Sequence, residues 1–298
     1  MNIIKYRNWF FALSLLVIIP GVIAYSLWGL KLGIDFQGGT LWEIKFVDKK
    51  ISPQNFSDFL KQTKVDASSI SLAGGSQNIL FRISTADENS IKGIKANIAQ
   101  TYGKTQDISL VTVGPTISKE LTQKALYAVA VSILGIVLYI TWAFRKVPKP
   151  TSSLAFGVCT IVALVHDVIV VVGIFAILGH FWHVEVDSLF ITALLTVLGF
   201  SVHDTIVVFD RIRENLHKHS GMSFEQVVNF SVLQTLTRSL NTSLTVAFVL
   251  LALLLFGGES IHTFVLALLI GIISGTYSSI FNAAPLLVVW NRYIIRKN

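Results

Sequence analysis

The residue with the clearest chemical potential in this sequence is an acid inside an apolar segment. Asp204 lies within Leu189–Phe209, which is otherwise long and apolar enough to cross a lipid bilayer. A charged carboxylate at that depth costs about 3 kcal/mol or more, so such residues usually face protein or water and serve a function. Desolvation disfavours the charged form of a carboxyl group, whereas a neighbouring guanidinium favours it. A carboxyl group balanced between these influences can bind and release a proton as its surroundings change.

Two polar stripes on successive apolar segments could surround such an acid. The first consists of Ser201, Asp204 and Thr205, spaced i, i+3, i+4. The second consists of Arg238, Asn241, Thr242 and Thr245, spaced i, i+3, i+4, i+7. Residues at these spacings share one face of a helix. We expect the stripes to meet each other rather than lipid, with Asp204 opposite Arg238, as a proton relay. The alternative is a static buried pair that only fixes helix packing.

Two His-Asp pairs, His166-Asp167 and His203-Asp204, lie on neighbouring apolar segments. Imidazole and carboxylate are common zinc and iron ligands, so an intramembrane metalloenzyme is one alternative. Helical ligand pairs are usually spaced i, i+3 or i, i+4, and adjacent residues point away from each other, which argues against a metal. Asp167 is either a second relay carboxyl group or a carboxyl group hydrogen-bonded to neighbouring helices. His203 and His166 are either core histidines or proton carriers.

The sequence contains no Walker motif, nucleophile elbow or Cys/His cluster. We therefore expect no enzymatic activity, no catalytic residues, no cofactor and no bound metal. Cys159, which lies in an apolar segment, is the only cysteine of the sequence, so no intrachain disulfide can form.

The composition predicts a polytopic α-helical membrane protein. Hydrophobic residues make up 53% of the chain and charged residues only 14%, whereas an average soluble domain has about 25% charged residues. The apolar residues fall in blocks long enough to span a bilayer. The six predicted transmembrane helices are Trp9–Leu30, Ala125–Phe144, Leu154–Gly179, Ser188–Phe209, Ser239–Phe256 and Phe264–Trp290. The last is too long for one straight crossing, so we expect it to tilt or fray.

Lysine and arginine are distributed unequally around these segments. The basic residues in the termini and in two short loops are Lys5, Arg7, Arg145, Lys146, Lys149, Arg211, Arg213, Lys218, Arg292, Arg296 and Lys297. The other short loops, His180–Asp187 and Gly257–His262, contain none. The positive-inside rule then places both termini in the cytoplasm. The net charge of +7 is accounted for by topology signals and contacts with membrane lipids, so we expect no nucleic-acid partner.

A polar region, residues 31–121, separates the first apolar segment (residues 1–30) from the five-helix bundle (residues 122–298). Alternating patterns predict strands at Thr40–Val47, Ser68–Leu72, Asn78–Ser84 and Ile108–Val113. Helices are expected at residues 53–64 and Asp87–Tyr102, with a turn at Gly74-Gly75. The order βαββαβ is the ferredoxin-like arrangement, and topology makes this small α+β domain extracytoplasmic.

Two further segments have predictable structural roles. Ser223–Thr237 has helical periodicity and is expected to be an interfacial helix, with an extension of the fifth span as the alternative. The sixth span carries a stripe of small residues, which predicts close helix packing without chemistry of its own. Its members are Gly271, Ser274, Gly275, Ser278, Ser279 and Asn282.

Three long motifs are distinctive: Gly33–Thr40 (GIDFQGGT), Gly199–Asn215 (GFSVHDTIVVFDRIREN) and Arg238–Ser243 (RSLNTS). They resemble the motifs of the SecF family, the smaller membrane subunits of the SecDF accessory complex of bacterial protein export. The similarity extends over essentially the whole chain. Position 203, often Asn in the family, is His203 here, which adds a titratable group beside Asp204.

The resemblance implies a place in the resistance-nodulation-division superfamily of proton-driven transporters, whose two halves form a parallel repeat. It implies that SecD supplies the other half, with an aspartate that completes the relay. It implies that the complex uses the proton-motive force in the bacterial inner membrane to draw or release preproteins from the SecYEG channel, with YajC and YidC as further partners. The implied relay positions are Asp204, Arg238 and Thr242, to which the residue patterns add Asp167 and His203. The alternatives are a static translocon-stabilising scaffold and a proton-driven small-molecule exporter of the same superfamily.

Overall fold

The computed structural model describes residues 2–47, 50–73, 78–148, 151–219 and 221–297. The predicted Gly74-Gly75 turn and Lys149 lie outside these residues. The chain divides into two compact units. The first contains Met1–Leu30, Tyr127–Val184 and Leu189–Asn298, and the second contains Lys31–Leu126 with Glu185–Ser188.

In chain order the helices and strands are α1 (Arg7–Trp28), α2 (Ile34–Gln37), β1 (Gly39–Phe46), α3 (Pro53–Gln62), β2 (Ala67–Ala73), β3 (Asn78–Ile83), α4 (Glu88–Tyr102), β4 (Thr105–Val113), α5 (Pro115–Ala143), α6 (Ser153–Trp182), α7 (Ser188–Lys218), α8 (Phe224–Phe256), α9 (Glu259–Ser278), a π-helical turn (Ser279–Ala283) and α10 (Ala284–Lys297). Six helical segments of the described chain are long and apolar enough to cross a membrane, which confirms the predicted polytopic fold. They are α1, α5, α6, α7, α8 and the continuous α9–α10 segment.

The six spanning segments differ in how much of their surface the protein buries. Half of the most apolar window of α6 and of α7 is buried, and so is 61% of that of α9–α10. The corresponding share is 17% for α1 and α8 and only 6% for α5. Charged groups are tolerated in spanning helices where they face protein. This rule fits the two acids, because Asp167 and Asp204 are buried and belong to α6 and α7, two of the most buried spanning helices.

The structure corrects two boundaries within the bundle. Ser223–Thr237 is not a separate interfacial helix, because α8 runs without interruption from Phe224 to Phe256. Its start is fixed by a capping box between Ser223 and Gln226, which satisfies backbone N–H groups at both positions. In the last segment, a buried π-helical turn at Ser279–Ala283 divides the predicted span into α9 and α10, and the expected tilt or fray stays a prediction.

The second unit contains a four-stranded antiparallel sheet with the order β2-β3-β1-β4. With α3 after β1 and α4 after β3, this confirms the predicted βαββαβ arrangement. Alternate residues of β1, Trp42, Ile44 and Phe46, enter one core with apolar residues of both helices. Asp87 caps the start of α4, since its side chain accepts a hydrogen bond from the Ser90 amide at 2.9 Å.

The GIDFQGGT segment (Gly33–Thr40) leads into β1 through two glycines in a restricted backbone conformation. Gly38 and Gly39 have positive φ values of 77° and 111°, which side-chain-bearing residues rarely adopt. A Cβ atom on Gly39 would lie 2.5 Å from the Ile83 carbonyl oxygen of the neighbouring strand. Glycine is therefore required at position 39 for β1 to pair with β3.

Arg82 of β3 fastens the same segment. It is buried, and its guanidinium donates to the Leu32 carbonyl at 2.7 Å and to the Gln37 side-chain oxygen at 2.8 Å. It also lies 3.4 Å from the Glu185 carboxylate, within the same unit. Backbone hydrogen bonds support this arrangement, because Gly33 donates to Val186 at 2.7 Å. A single arginine thus joins the strand, the motif and residues 185–188.

Helices α1 and α6 approach each other through a pair of glycines. A Cβ atom on Gly173 would lie 2.5 Å from the Gly21 Cα atom. Such close backbone contact is a common way for helices to associate in membranes. Lipid tails are as apolar as the helices, so association depends on close packing rather than on the hydrophobic effect.

We expect Gly173→Ala to destabilise the bundle by about 1–3 kcal/mol, because the added methyl group must force α1 and α6 apart. Gly135→Ala is the matched control, since no atom lies within 4 Å of a Cβ atom at that position. Cys159 is fully buried, so the temperature at which it reacts with a thiol-specific fluorophore measures unfolding. Equal midpoints for the two variants would contradict the packing described here.

We expect Arg82→Met to destabilise the second unit by about 3 kcal/mol, because it removes a buried guanidinium with two hydrogen bonds and breaks its partly buried ion pair with Glu185. Lys92→Met is the control, since the Lys92–Glu88 pair is exposed and such pairs contribute little. The measurement is the temperature at which chymotrypsin begins to cleave within residues 31–126. A similar shift for both variants would show that Arg82 does not hold this unit together.

Candidate functional site

Asp167 is enclosed by hydrogen-bond donors. Its side chain is completely buried. The partners of its carboxylate are Ser201 Oγ at 2.6 Å, Ser278 Oγ at 2.8 Å, Ser274 Oγ at 3.0 Å and His166 Nδ1 at 3.0 Å. Each oxygen has two partners, and a carboxylate offers about four acceptor positions. The hydrogen-bonding capacity of Asp167 is therefore fully used, by residues of α6, α7 and α9.

The network continues from Asp167 to α1. His166 Nε2 lies 3.1 Å from Ser14 Oγ, and the Asn282 side-chain amide donates to the same hydroxyl at 2.8 Å. Ser14 belongs to α1 and Asn282 to the π turn. All these side chains are buried. A continuous polar chain therefore crosses the interior of an otherwise apolar bundle.

Asp204, by contrast, is buried but weakly held. Its side chain is 3% exposed. Ser243 Oγ lies 3.4 Å and Thr276 Oγ1 3.5 Å from the same carboxylate oxygen, Oδ2. These distances are long for O–H···O hydrogen bonds, and the two hydroxyls lie 2.5 Å from each other. Asp204 is therefore the less restrained of the two buried acids.

The residues that flank Asp204 on α7 are tied to the π turn. Ser279 Oγ donates to the Ser201 carbonyl at 3.1 Å and lies 2.8 Å from Thr205 Oγ1. Ser201 also donates to Asp167. The turn of α7 that carries Asp204 is thus held by α6 and by the π turn, while the Asp204 carboxyl group itself keeps freedom to exchange partners.

The two polar stripes make no hydrogen bond or ion pair with each other within the described residues, although Arg238 is near enough to interact electrostatically with Asp204. Arg238, Asn241, Thr242 and Thr245 are all exposed on the surface of α8. Within the described ranges, no carboxylate lies within 4.0 Å of the Arg238 guanidinium. Helix α8 carries polar residues on two faces, and it buries the one with the small side chains Ser239 and Ser243. Ser243 therefore takes the place beside Asp204 that was predicted for Arg238.

The histidines of the two His-Asp pairs lie in different environments. His166 is buried in the Asp167 network, whereas His203 is exposed on α7. In the part of the chain that the structure describes, no three His, Cys, Asp or Glu side chains are arranged to hold a metal ion. The relay roles of all five predicted residues remain predictions: Asp204, Arg238, Thr242, Asp167 and His203.

The serines that bond to Asp167 were not predicted from the sequence as its partners. The stripe of small residues in α9–α10 was predicted to allow close packing, and it does, but its serines also donate hydrogen bonds. The available signal was the spacing i, i+4, i+8 of Ser274, Ser278 and Asn282, which places three polar groups on one inward face. No comparable signal marks Ser14, a single hydroxyl within the apolar stretch of α1 between Trp9 and Ala24.

Two protein-family models match the chain. The model described as "Protein export membrane protein SecD/SecF, C-terminal" matches residues 93–293. The model described as "SecD/SecF GG Motif" matches residues 29–48, which include Gly38 and Gly39.

Similar full-length proteins and solved structures agree with these models. Protein translocase subunit SecF of Thermobaculum terrenum is 50% identical, covering 97% of this chain and 94% of that protein. Protein translocase subunit SecDF of Bacillus subtilis is 36% identical, covering 98% of this chain but 38% of that protein. The crystal structure of SecDF from Thermus thermophilus, a translocon-associated membrane protein, superposes with a TM-score of 0.84 at 32% identity. It covers 98% of this chain and 39% of its own, so this chain spans about two fifths of the SecDF proteins.

We expect Asp167→Asn to destabilise the bundle by about 3 kcal/mol, since the amide has fewer acceptor positions and presents two donors to the surrounding hydroxyls. Ser274→Ala should cost less, because it removes a single donor. Asp210→Asn is the control, an exposed acid on the same helix as Asp204. Thermal unfolding followed by tryptophan fluorescence orders the variants, and an Asp167→Asn midpoint equal to that of Asp210→Asn would contradict the network.

Proposed function

The chain belongs to the SecF family of protein-export membrane proteins, and on that premise we propose that it is one half of a proton-driven device that assists preprotein export. The other half is a SecD partner, and the complex acts beside the SecYEG channel in the bacterial inner membrane, with YajC and YidC as further partners. Both termini lie in the cytoplasm, and the small α+β domain lies on the opposite side, where it contacts the emerging preprotein.

The observation that carries this proposal is a buried, weakly held acid beside a helix with an exposed polar face. Asp204 is 3% exposed and has only two long hydrogen bonds. Arg238 and Thr242 lie on the exposed side of the adjacent helix α8. An arginine that faces lipid within a spanning helix costs up to about 3 kcal/mol. A protein partner that covers this face removes the cost.

The SecDF relatives support SecD as that partner. In Bacillus subtilis and Thermus thermophilus the region similar to this chain makes up 38% and 39% of one longer polypeptide. The remaining part of such a polypeptide can supply a second half, since parallel repeats pair their two halves about an axis along the membrane normal. We assign the exposed stripe of α8 and His203 to the surface that SecD covers, with a SecD carboxylate opposite Arg238.

In the proposed cycle Asp204 binds and releases the proton. Loss of the proton creates a charge that attracts Arg238 and the donors around it, and protonation abolishes that attraction. Asp167, with its four hydrogen bonds, holds Ser201 and hence the adjacent turn of α7 against α6 and α9. A change in the charge of Asp204 therefore moves packed helices and does not merely rotate one side chain.

The available energy sets a requirement on this cycle. One charge moving through 100 mV supplies about 2.3 kcal/mol, whereas a shift of a two-state equilibrium from 1:99 to 99:1 needs about 5.5 kcal/mol. More than one proton per cycle, or binding energy from the preprotein, closes the difference.

A static scaffold is the second candidate function, and the fully satisfied Asp167 network favours it. A buried network of this kind fixes packing without any titration. The two functions differ in what they require of Asp204, because a scaffold needs its shape and a relay needs its proton.

We expect Asp204→Asn to abolish stimulation of preprotein release by a pH gradient, because it preserves the shape of the side chain and removes its titration. The measurement uses membrane vesicles that contain this chain with its SecD partner. Asp210→Asn on the same helix should leave stimulation intact, since Asp210 is exposed and paired with Arg213. Co-purification of SecD with the Asp204→Asn variant shows that assembly is preserved. Full stimulation by the Asp204→Asn complex would support the scaffold and exclude the relay.

A further inference from the structure

A basic pocket lies at the end of the bundle where the loop after α5 meets the last turns of α7. The pocket has a volume of about 320 Å³ and is open to the surroundings. It is lined by Lys146, Arg213, Glu214, His217 and Lys218. None of these residues takes part in the Asp167 or Asp204 networks, so the proposed export mechanism leaves the pocket without a role.

The pocket keeps an excess of positive charge after its internal ion pairs are formed. Arg213 pairs with Asp210 at 2.6 Å, and Glu214 accepts from both Lys218 at 2.6 Å and Arg211 at 2.7 Å. Lys146 is exposed, and no carboxylate of the described residues lies within 4.0 Å of its ammonium group. Counting these ion-pair partners, four cations (Lys146, Arg211, Arg213 and Lys218) face two carboxylates (Asp210 and Glu214), so two positive charges remain. The charges attract an anion, and the guanidinium suits an oxyanion with several acceptors.

Aromatic side chains place this pocket at the level of lipid headgroups. Trp142, near the end of α5, is 60% exposed, and the Arg145 guanidinium lies 4.4 Å from its ring centroid. Tryptophan at a helix end, next to basic residues, is typical of the membrane–water interface. The Arg213 guanidinium also lies 6.0 Å from the centroid of the Phe144 ring.

The surface of α5 next to the pocket is suited to acyl chains. Leu134, Leu138 and Trp142 follow one another at i, i+4, i+8, which places them along one face, and all three are exposed. This apolar strip ends where the cations of the pocket begin. A ligand that fits both features has an anionic head and long apolar tails, whereas a soluble anion would use only the head site.

We propose that this pocket binds the phosphodiester headgroup of an anionic phospholipid, with its acyl chains along the exposed face of α5. Lys146 and Arg213 contact the phosphate, and His217 and Lys218 offset the negative end of the α7 dipole there. Anionic phospholipid is preferred to zwitterionic phospholipid because a choline headgroup brings its own cation to a positive pocket.

The test is retention of phospholipid by the purified full-length chain in native mass spectrometry. Phosphatidylglycerol and phosphatidylcholine with identical acyl chains are compared for the natural chain, Lys146→Glu, Lys146→Arg and the control Lys5→Glu. Lys5 is also exposed but does not line the pocket, so its replacement makes the same charge change elsewhere. A basic residue near a membrane surface contributes about 1 kcal/mol to anionic-lipid binding, which corresponds to about five-fold.

We expect the natural chain, Lys146→Arg and Lys5→Glu to retain phosphatidylglycerol over phosphatidylcholine, and Lys146→Glu to lose that preference by at least five-fold. Equal losses in the two glutamate variants would overturn the site, because they would indicate a response to net charge alone. Equal retention of both lipids by the natural chain would overturn it as well. Complete displacement of phosphatidylglycerol by millimolar inorganic phosphate would show that the pocket takes a free anion and that the acyl chains contribute nothing.

Discussion

A carboxylate inside a membrane bundle must find its hydrogen-bond partners within the protein, and this requirement organises the centre of the molecule. Asp167 meets it with three serine hydroxyls and His166, drawn from α6, α7 and α9. Those hydroxyls reach the carboxylate only because the helices carry small residues where they meet. The apolar packing and the polar network therefore depend on each other, since neither the close approach nor the buried charge is stable alone.

The two buried acids differ in how strongly their surroundings hold them. Asp167 has no spare acceptor position and is suited to holding helices in place. Asp204 has two long hydrogen bonds to a single oxygen, so its partners restrain it less. They lie close in the structure, because Ser201 bonds to Asp167 and precedes Asp204 by one helical turn. A fully bonded acid therefore lies next to a weakly bonded one, and this difference is the basis of the proposed relay.

The exposed charged residues of the bundle indicate which neighbours cover its surface. The exposed stripe around Arg238 is costly against lipid, and the basic pocket at Lys146 is favourable against an anionic headgroup. The first therefore indicates a protein neighbour and the second a lipid neighbour. The difference follows from depth, because an arginine within a spanning helix needs a partner of low mobility, whereas a lysine at the interface reaches phosphate groups directly.

Hydropathy and period alone determined the six spanning helices and the βαββαβ order, because both patterns reflect local burial that any fold of this chain must satisfy. They also marked Asp204 and Asp167 as buried acids, since the cost of charge in lipid leaves no other place for them. The partners of those acids were decided by tertiary structure. Helical spacing shows which residues share a face but not which face turns inward, so Ser243 rather than Arg238 lies beside Asp204, and Ser14 of a distant helix completes the Asp167 network. Rotation of each helix is set by the packing of all its neighbours at once, and no segment of sequence contains that information by itself.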